Sequence, residues 1–184
     1  GLKKLHLDKP LGVVIKGEAV PVIHKPGDKE WSGLSLTQMS IGYELQITPL
    51  QILAFYNAIA NNGIMVKPIF AEAISYRGEI IEEFETEVLN PQLCSQTTIA
   101  LVKPMLEGVV EDGTARNIKS ENYKIAGKTG TAQINYGNDS LPMQYHSSFV
   151  GYFPADNPEY SCIVSIYKPK RRGFYGNIVA GPVF

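Results

Sequence analysis

The sequence predicts an α+β fold in which an antiparallel sheet packs between helices. Three observations point that way. The last third reads as three consecutive strands, at 125–133, 147–153 and 160–167. Asp156-Asn157-Pro158 supplies the tight connection that makes the last two an antiparallel hairpin. Two segments upstream carry helical patterns with recognisable starts and stops.

The elements follow in order. Residues 1–34 are rich in Gly, Pro and Lys, with short apolar pieces such as Leu11-Gly12-Val13-Val14-Ile15, and read as an irregular segment along the surface. Ser35 to Ile41 can form a short helix with Ser35 as its cap. At the next helix Thr48 suits the N-cap and Pro49 the first helical position. It runs through Leu50, Leu53, Ala54, Asn57 and Ile59 to the stop Asn61-Asn62-Gly63. Being apolar on more than one face, it should be buried. Ile64 to Glu87 alternates roughly around the turn signal Arg77-Gly78, which predicts a hairpin. Asn90-Pro91 opens the following helix, where Ile99, Val102, Leu106, Val109 and Val110 recur at helical spacing. Pro104 should kink it, and Asp112-Gly113 ends it. The last two strands stop at Pro154 and Pro169.

Composition excludes several functions. The 184 residues suit one domain or a large piece of one. Seventeen basic and eighteen acidic residues leave a net charge of −1, so nothing draws the chain to nucleic acid or an anionic membrane. The basic run Lys168-Pro169-Lys170-Arg171-Arg172 reads as a solvated loop. Cys94 and Cys162 have no CxxC partner and no nearby histidine, and read as free thiols in a packed interior. His6, His24 and His146 are far apart and none sits in HExxH, so no metal is implied. No stretch reaches the roughly 18 to 20 apolar residues of a membrane span, and Gly1-Leu2-Lys3-Lys4-Leu5 lacks the long apolar follow-on that would read as a signal peptide. The chain starts at Gly1 without methionine and stops on Gly181-Pro182-Val183-Phe184; both ends read as cuts in a longer protein.

One motif carries chemistry. Gly127-Lys128-Thr129 resembles the end of a phosphate-binding loop, but that loop needs a glycine where Asn122 stands, and a nucleotide reading fails. Lys128-Thr129-Gly130 has a different setting. It lies on a predicted strand, a second threonine follows at 131, and an antiparallel hairpin comes next. Lys-Thr-Gly is one of three motifs of penicillin-binding proteins and serine β-lactamases.

The resemblance extends well beyond the motif. Met39-Ser40-Ile41-Gly42-Tyr43, Ile47-Thr48-Pro49-Leu50-Gln51 and Tyr56-Asn57-Ala58-Ile59-Ala60-Asn61-Asn62-Gly63 closely resemble the helix region of class B penicillin-binding proteins. So do Gly113-Thr114-Ala115, Ser148-Phe149-Val150-Gly151-Tyr152-Phe153-Pro154 and the closing Gly176 to Phe184. Within that class, Ser40 to Pro68 is most similar to the division-specific transpeptidases. The resemblance implies the serine β-lactamase and penicillin-binding transpeptidase fold, incomplete in this chain, with 1–184 as the C-terminal portion of the domain. It implies a serine-type D,D-transpeptidase that takes a peptidoglycan stem ending in D-Ala-D-Ala and is acylated by β-lactams, with no metal or organic cofactor. It further implies a parent anchored in the inner membrane with this domain in the periplasm of the cell envelope. There the parent would work beside a membrane glycosyltransferase and division or elongation proteins.

Site roles follow from the same resemblance. Lys128 supplies positive charge near the nucleophile and the substrate carboxylate. Thr129 and Thr131 offer hydroxyl donors, and Gly130 lets an extended substrate lie against the strand. The backbone N–H of Thr131 forms half of the oxyanion hole. Lys128 and Thr131 are thus the candidate catalytic residues, and Lys128 to Thr131 the substrate-binding run. Strand alternation puts Lys128 and Thr129 on opposite faces, so the sequence leaves open how both reach one cleft. Thr114 could border the cleft but reads first as a helix-terminating turn residue. Tyr136, Tyr145 and His146 lie in the loop after the motif, where they could touch substrate but read first as plain loop residues.

The departure from the family pattern is as informative. The nucleophilic serine belongs to a Ser-x-x-Lys motif and the second motif is Ser-x-Asn, both upstream of the matched region. Nothing before Lys128 has the first form. Ser165-Ile166-Tyr167-Lys168 has it on a predicted strand, and Ser120-Glu121-Asn122 has the second form just before Lys128. Both read as coincidence. The chain therefore carries one wall of a site and is expected to be inactive alone. A serine β-lactamase and a β-lactam-sensing receptor domain stay open as alternatives.

Overall fold

The computed structural model describes residues 1–136, 140–170 and 173–184. Its N-terminal segment is better anchored than its composition predicts. Leu7 and Leu11 are buried, and strand β1 (Val22–Ile23) is present. Helix α1 (Ser35–Ser40) starts one residue earlier than expected, with Leu34 as its cap. The Ser35 hydroxyl instead accepts from the Ser32 N–H at 2.9 Å. Strand β2 (Leu45–Gln46) then pairs antiparallel with β1.

Helix α2 (Pro49–Ala60) begins as the sequence predicts. The Thr48 hydroxyl accepts from the Gln51 N–H at 3.2 Å, and Gln51 Oε1 accepts from the Thr48 N–H at 3.0 Å. This reciprocal cap stabilises a helix start by about 1 kcal/mol. Gln51 is fully buried, and its Nε2 donates to the Lys9 carbonyl at 2.9 Å. One side chain thus closes the helix and ties down the first residues. The helix is buried from two sides. Ala54 and Ala58 pack with Leu11, Met65 and Leu93, while Ile59 and Ala60 pack with Leu106, Ala126 and Tyr152.

The hairpin expected over 64–87 is shorter than predicted. Strands β3 (Met65–Val66), β4 (Ala73–Tyr76), β5 (Glu79–Glu83) and β6 (Val88–Asn90) occupy this stretch. Only β4 and β5 form the hairpin, with Tyr76 opposite Glu79. Arg77 and Gly78 both have positive φ, 54° and 89°, as a two-residue turn between right-twisted strands requires. Strand β3 pairs with β6 across the hairpin's base. Asn90 ends β6 and does not open a helix; its Oδ1 accepts from the Gln92 N–H at 2.9 Å in a local turn. Helix α3 (Gln96–Glu111) starts later, where the Ser95 hydroxyl accepts from the Thr98 N–H at 3.1 Å. It contains Pro104 and ends at Asp112 as expected. Lys103 Nζ donates to the Ala60 carbonyl at 3.0 Å and to Asn62 Oδ1 at 2.8 Å, placing a cation at the C-terminus of α2. Burial lowers the Lys103 pKa.

The sheet that positions the site has strands β7 (Ala126–Ile134), β8 (Gln144–Phe153) and β9 (Tyr160–Tyr167), in that order and antiparallel throughout. Ala126 and Tyr152 share one face with α2 and Leu106. The other face carries Phe149, Val164 and Ile166, which pack with Val110, Ala115, Ala180 and Phe184. Short helix α4 (Gly176–Val179) and a 3₁₀ turn at Gly181–Val183 cover this face. The sheet is therefore held between helices, as predicted. Phe149 and Tyr152 are fully buried, and burial of the Phe149 ring stabilises the fold by about 1.5–3 kcal/mol. Cys94 and Cys162 are free, as expected, but only half-buried. Among the described residues no helix is long and apolar enough to cross a membrane.

Candidate active-site wall

Strand β7 has β8 on one side and, among the described residues, no strand on the other. The direction of its backbone groups can be read from Gln133. That N–H donates to the Tyr43 hydroxyl at 3.1 Å, away from β8. In an antiparallel strand such groups alternate in direction every residue. The N–H and C=O of Thr129 and Thr131 therefore face the same open edge. An extended peptide laid there finds donors and acceptors at both threonines.

The same edge resolves the problem of Lys128. Its Cβ lies on the face opposite Thr129, yet its chain folds around the edge. Lys128 Nζ donates to the Thr129 carbonyl at 3.1 Å and lies 3.5 Å from Thr129 Oγ1. The residue is exposed, and it has no ion pair among the described residues. An ammonium without a counter-ion beside outward N–H groups is suited to an anion.

The threonine hydroxyls are held from behind. Thr129 Oγ1 lies 3.2 Å from Thr114 Oγ1. Thr114 is the turn residue that the sequence predicts, and it borders the site as well. Thr131 Oγ1 accepts from the Gly176 N–H at 3.0 Å. A hydroxyl that accepts from an amide keeps its own proton for a further acceptor. Gly130 has a second reason to lack a side chain: a Cβ there would lie 2.5 Å from Ser148 Oγ. A Cβ on Gly176 would lie 2.6 Å from the Gly130 carbonyl and closer still to that of Ser148. The bare Cα of Gly176 thus lets α4 sit directly on the backbone of β7 and β8.

Other flagged residues fall elsewhere. Tyr145 and His146 belong to β8 and not to a loop; the strand starts three residues before the position expected. Tyr145 stacks on Phe174 with centroids 3.9 Å apart. His146 Nε2 lies 2.6 Å from Ser165 Oγ. Tyr136 precedes the undescribed residues 137–139 and packs on Tyr43, centroids 4.5 Å apart. Ser165 is on β9, with Lys168 just beyond the strand and over the Tyr167 ring at 5.2 Å, so this Ser-x-x-Lys does not open a helix. In Ser120-Glu121-Asn122 the Ser120 hydroxyl accepts from the Asn122 N–H at 3.2 Å in an exposed turn. Arg171 and Arg172 of the basic run lie outside the described residues. Tyr43 and Gly176 are contributors that the sequence did not single out by role, though both fall in segments that carried the resemblance.

Comparison with known proteins matches the chain to a family. The model of the penicillin binding protein transpeptidase domain matches residues 1–184. Peptidoglycan D,D-transpeptidase FtsI of Buchnera aphidicola is 31% identical over 98% of the chain and 30% of its own length. Penicillin-binding protein PbpB of Mycolicibacterium smegmatis is 34% identical over 92% of the chain and 27% of its own length. The apo crystal structure of penicillin binding protein 3 from Mycobacterium tuberculosis superposes with a TM-score of 0.82 at 32% identity, covering all of this chain and 43% of that one. The transpeptidase domain of Burkholderia pseudomallei penicillin-binding protein 3 gives 0.77 at 31% identity, covering all of this chain and 52% of that one. The chain thus spans about 30% of the length of these curated relatives.

Proposed function

The chain belongs to the penicillin-binding protein transpeptidase family, and from that premise we propose that it is the C-terminal part of the catalytic domain of a longer peptidoglycan D,D-transpeptidase. The serine of a Ser-x-x-Lys motif elsewhere in that protein attacks the penultimate D-Ala carbonyl of a stem peptide. The C–N bond breaks and the terminal D-Ala leaves with a proton on its amine. An amine of a neighbouring stem then attacks the ester, forms the cross-link and returns the serine. β-Lactams acylate the same serine.

This chain supplies binding and electrostatics. The outward N–H of Thr131 stabilises the oxyanion as the carbonyl becomes tetrahedral. Lys128, with the hydroxyls of Thr129 and Thr131, holds the substrate carboxylate. The open edge at Thr129 and Thr131 aligns the stem as an added strand. The observation that carries the reading is the Lys128 ammonium folded round to the Thr129 carbonyl, 3.1 Å away, on that edge. The similarity of Ser40 to Pro68 to division-specific transpeptidases favours a division role. The protein would work at the cell envelope, anchored in the inner membrane beside a glycosyltransferase.

Fluorescent penicillin labelling with mass-spectrometric mapping tests the proposal. The full-length protein should give a stable adduct on the Ser-x-x-Lys serine, and the 184-residue chain none. A full-length protein that resists labelling, or an adduct on the 184-residue chain, overturns it. Rapid turnover of the adduct would instead identify a β-lactamase.

A further inference from the structure

The hairpin of β4 and β5 takes no part in the wall described above. Every residue of its two strands is exposed. Four are large and apolar: Ile74, Tyr76, Ile80 and Ile81, between 46% and 66% exposed. Single exposed apolar residues are ordinary, but four on one short ribbon form a patch. At its base Ile69, Phe70 and Phe84 line a groove of about 300 Å³. Among the described residues both edges of the ribbon are unpaired, since its sheet has only these two strands. Such a ribbon is marginal by itself in water.

The charges say what would cover it. Between residues 72 and 85 stand Glu72, Glu79, Glu82, Glu83 and Glu85, against Arg77 alone, in a chain whose total charge is −1. The register interleaves them with the apolar residues on both faces: Ile74 is opposite Glu82, Tyr76 opposite Glu79 and Ser75 opposite Ile80. A second copy pairing on this edge would set carboxylate against carboxylate. An anionic membrane is repelled for the same reason. A strand that alternates apolar residues with Lys or Arg satisfies the edge, the apolar side chains and the carboxylates together.

We propose that the hairpin Ala73–Glu83 is a docking arm that takes an extended basic and apolar segment of a partner protein as an added strand. The test uses the full-length protein and dye-labelled peptides of about ten residues, read by fluorescence anisotropy. One alternates Lys and Val; the control alternates Glu and Val. The Lys–Val peptide should bind saturably and the Glu–Val peptide should not. The triple variant Glu79→Lys, Glu82→Lys, Glu83→Lys should weaken binding by about tenfold or more, with an unchanged melting temperature because all three side chains are exposed. A second measurement needs no loss of binding: a cysteine placed by Ile81→Cys should react with maleimide in the full-length protein and be protected by the Lys–Val peptide. Equal binding of both peptides, undiminished binding by the triple variant, or an unreactive cysteine that shows the ribbon buried within the protein overturns the proposal.

Discussion

Replacing Gly176 with alanine tests whether α4 fixes the substrate edge. The new Cβ would sit 2.6 Å from the Gly130 carbonyl oxygen, whereas ordinary contact begins at 3.4 Å. Backbone atoms are on both sides, so no side chain can swing away. Helix α4 must recede by roughly 1 Å. The Gly176 N–H to Thr131 Oγ1 hydrogen bond, now 3.0 Å, then stretches to about 4 Å and is lost. Overpacking costs about 1–3 kcal/mol and the hydrogen bond about 1 kcal/mol, so about 2–4 kcal/mol of stability should disappear. Misplacing the Thr131 edge by roughly 1 Å should slow acylation by about ten- to a hundredfold. The assay is the second-order rate of fluorescent penicillin acylation in the full-length protein, with melting measured on the same samples. Thr131→Val is the comparison, since it removes the hydroxyl and leaves α4 in place. A Gly176→Ala protein that acylates within about twofold of wild type and melts at the same temperature would refute the coupling.

Three further outcomes are expected. Lys128→Gln should lower the acylation rate by about a hundredfold or more without changing the melting temperature, because the side chain is exposed and without an ion pair among the described residues; an equal loss of stability would point to a structural role. Thr114→Val and Thr129→Val should be non-additive in a double-mutant cycle of acylation, with a coupling of about 0.5–1 kcal/mol; strict additivity would show that the 3.2 Å hydroxyl contact does not matter to the site. Tyr152 is fully buried and its hydroxyl has no hydrogen-bond partner among the described residues. Burial first, and the Glu107 carboxylate second, push it up from 10.0 to about 12. The folded state therefore keeps a proton that the unfolded chain releases. Stability is intact below about pH 10 and falls as pH rises toward 12. Tyr152→Phe should flatten that alkaline decline in denaturant titrations, and an unchanged slope would contradict the assignment.

Local chemistry was legible in the sequence. The Thr48-Pro49 helix start, the Arg77-Gly78 turn and the three closing strands each depend on a few neighbouring residues. The Lys-Thr-Gly strand was found for the same reason. Competition between local signals produced the misplaced start of α3: Asn90-Pro91 and Ser95 are both good openings, and the Asn90 side chain was used for its own turn. Pairing of Met65–Val66 with Val88–Asn90 could not be read, because the hairpin between them carries the same alternating pattern. The position of the Lys128 ammonium depends on a flexible side chain crossing a strand edge, which alternation cannot describe. Tyr43 and Gly176 reach the site through contacts 90 and 45 residues away in sequence, so no spacing rule connects them to it.

The Tyr43 hydroxyl on the Gln133 N–H has a consequence for how the protein lives among other chains. An open strand edge invites any passing β-strand, and a strand in a folded protein averages about five to six residues. Here one end of the edge is occupied by Tyr43, and at the other Leu106 and Val110 of α3 pack in the clusters that hold Ala126 and Ile125. What is left offers the outward groups of Thr129 and Thr131, a span of about 7 Å. A loose peptide tail can use so short a stretch, but a full strand cannot. The Tyr43 hydroxyl thus shortens the adhesive edge on which a second strand could pair.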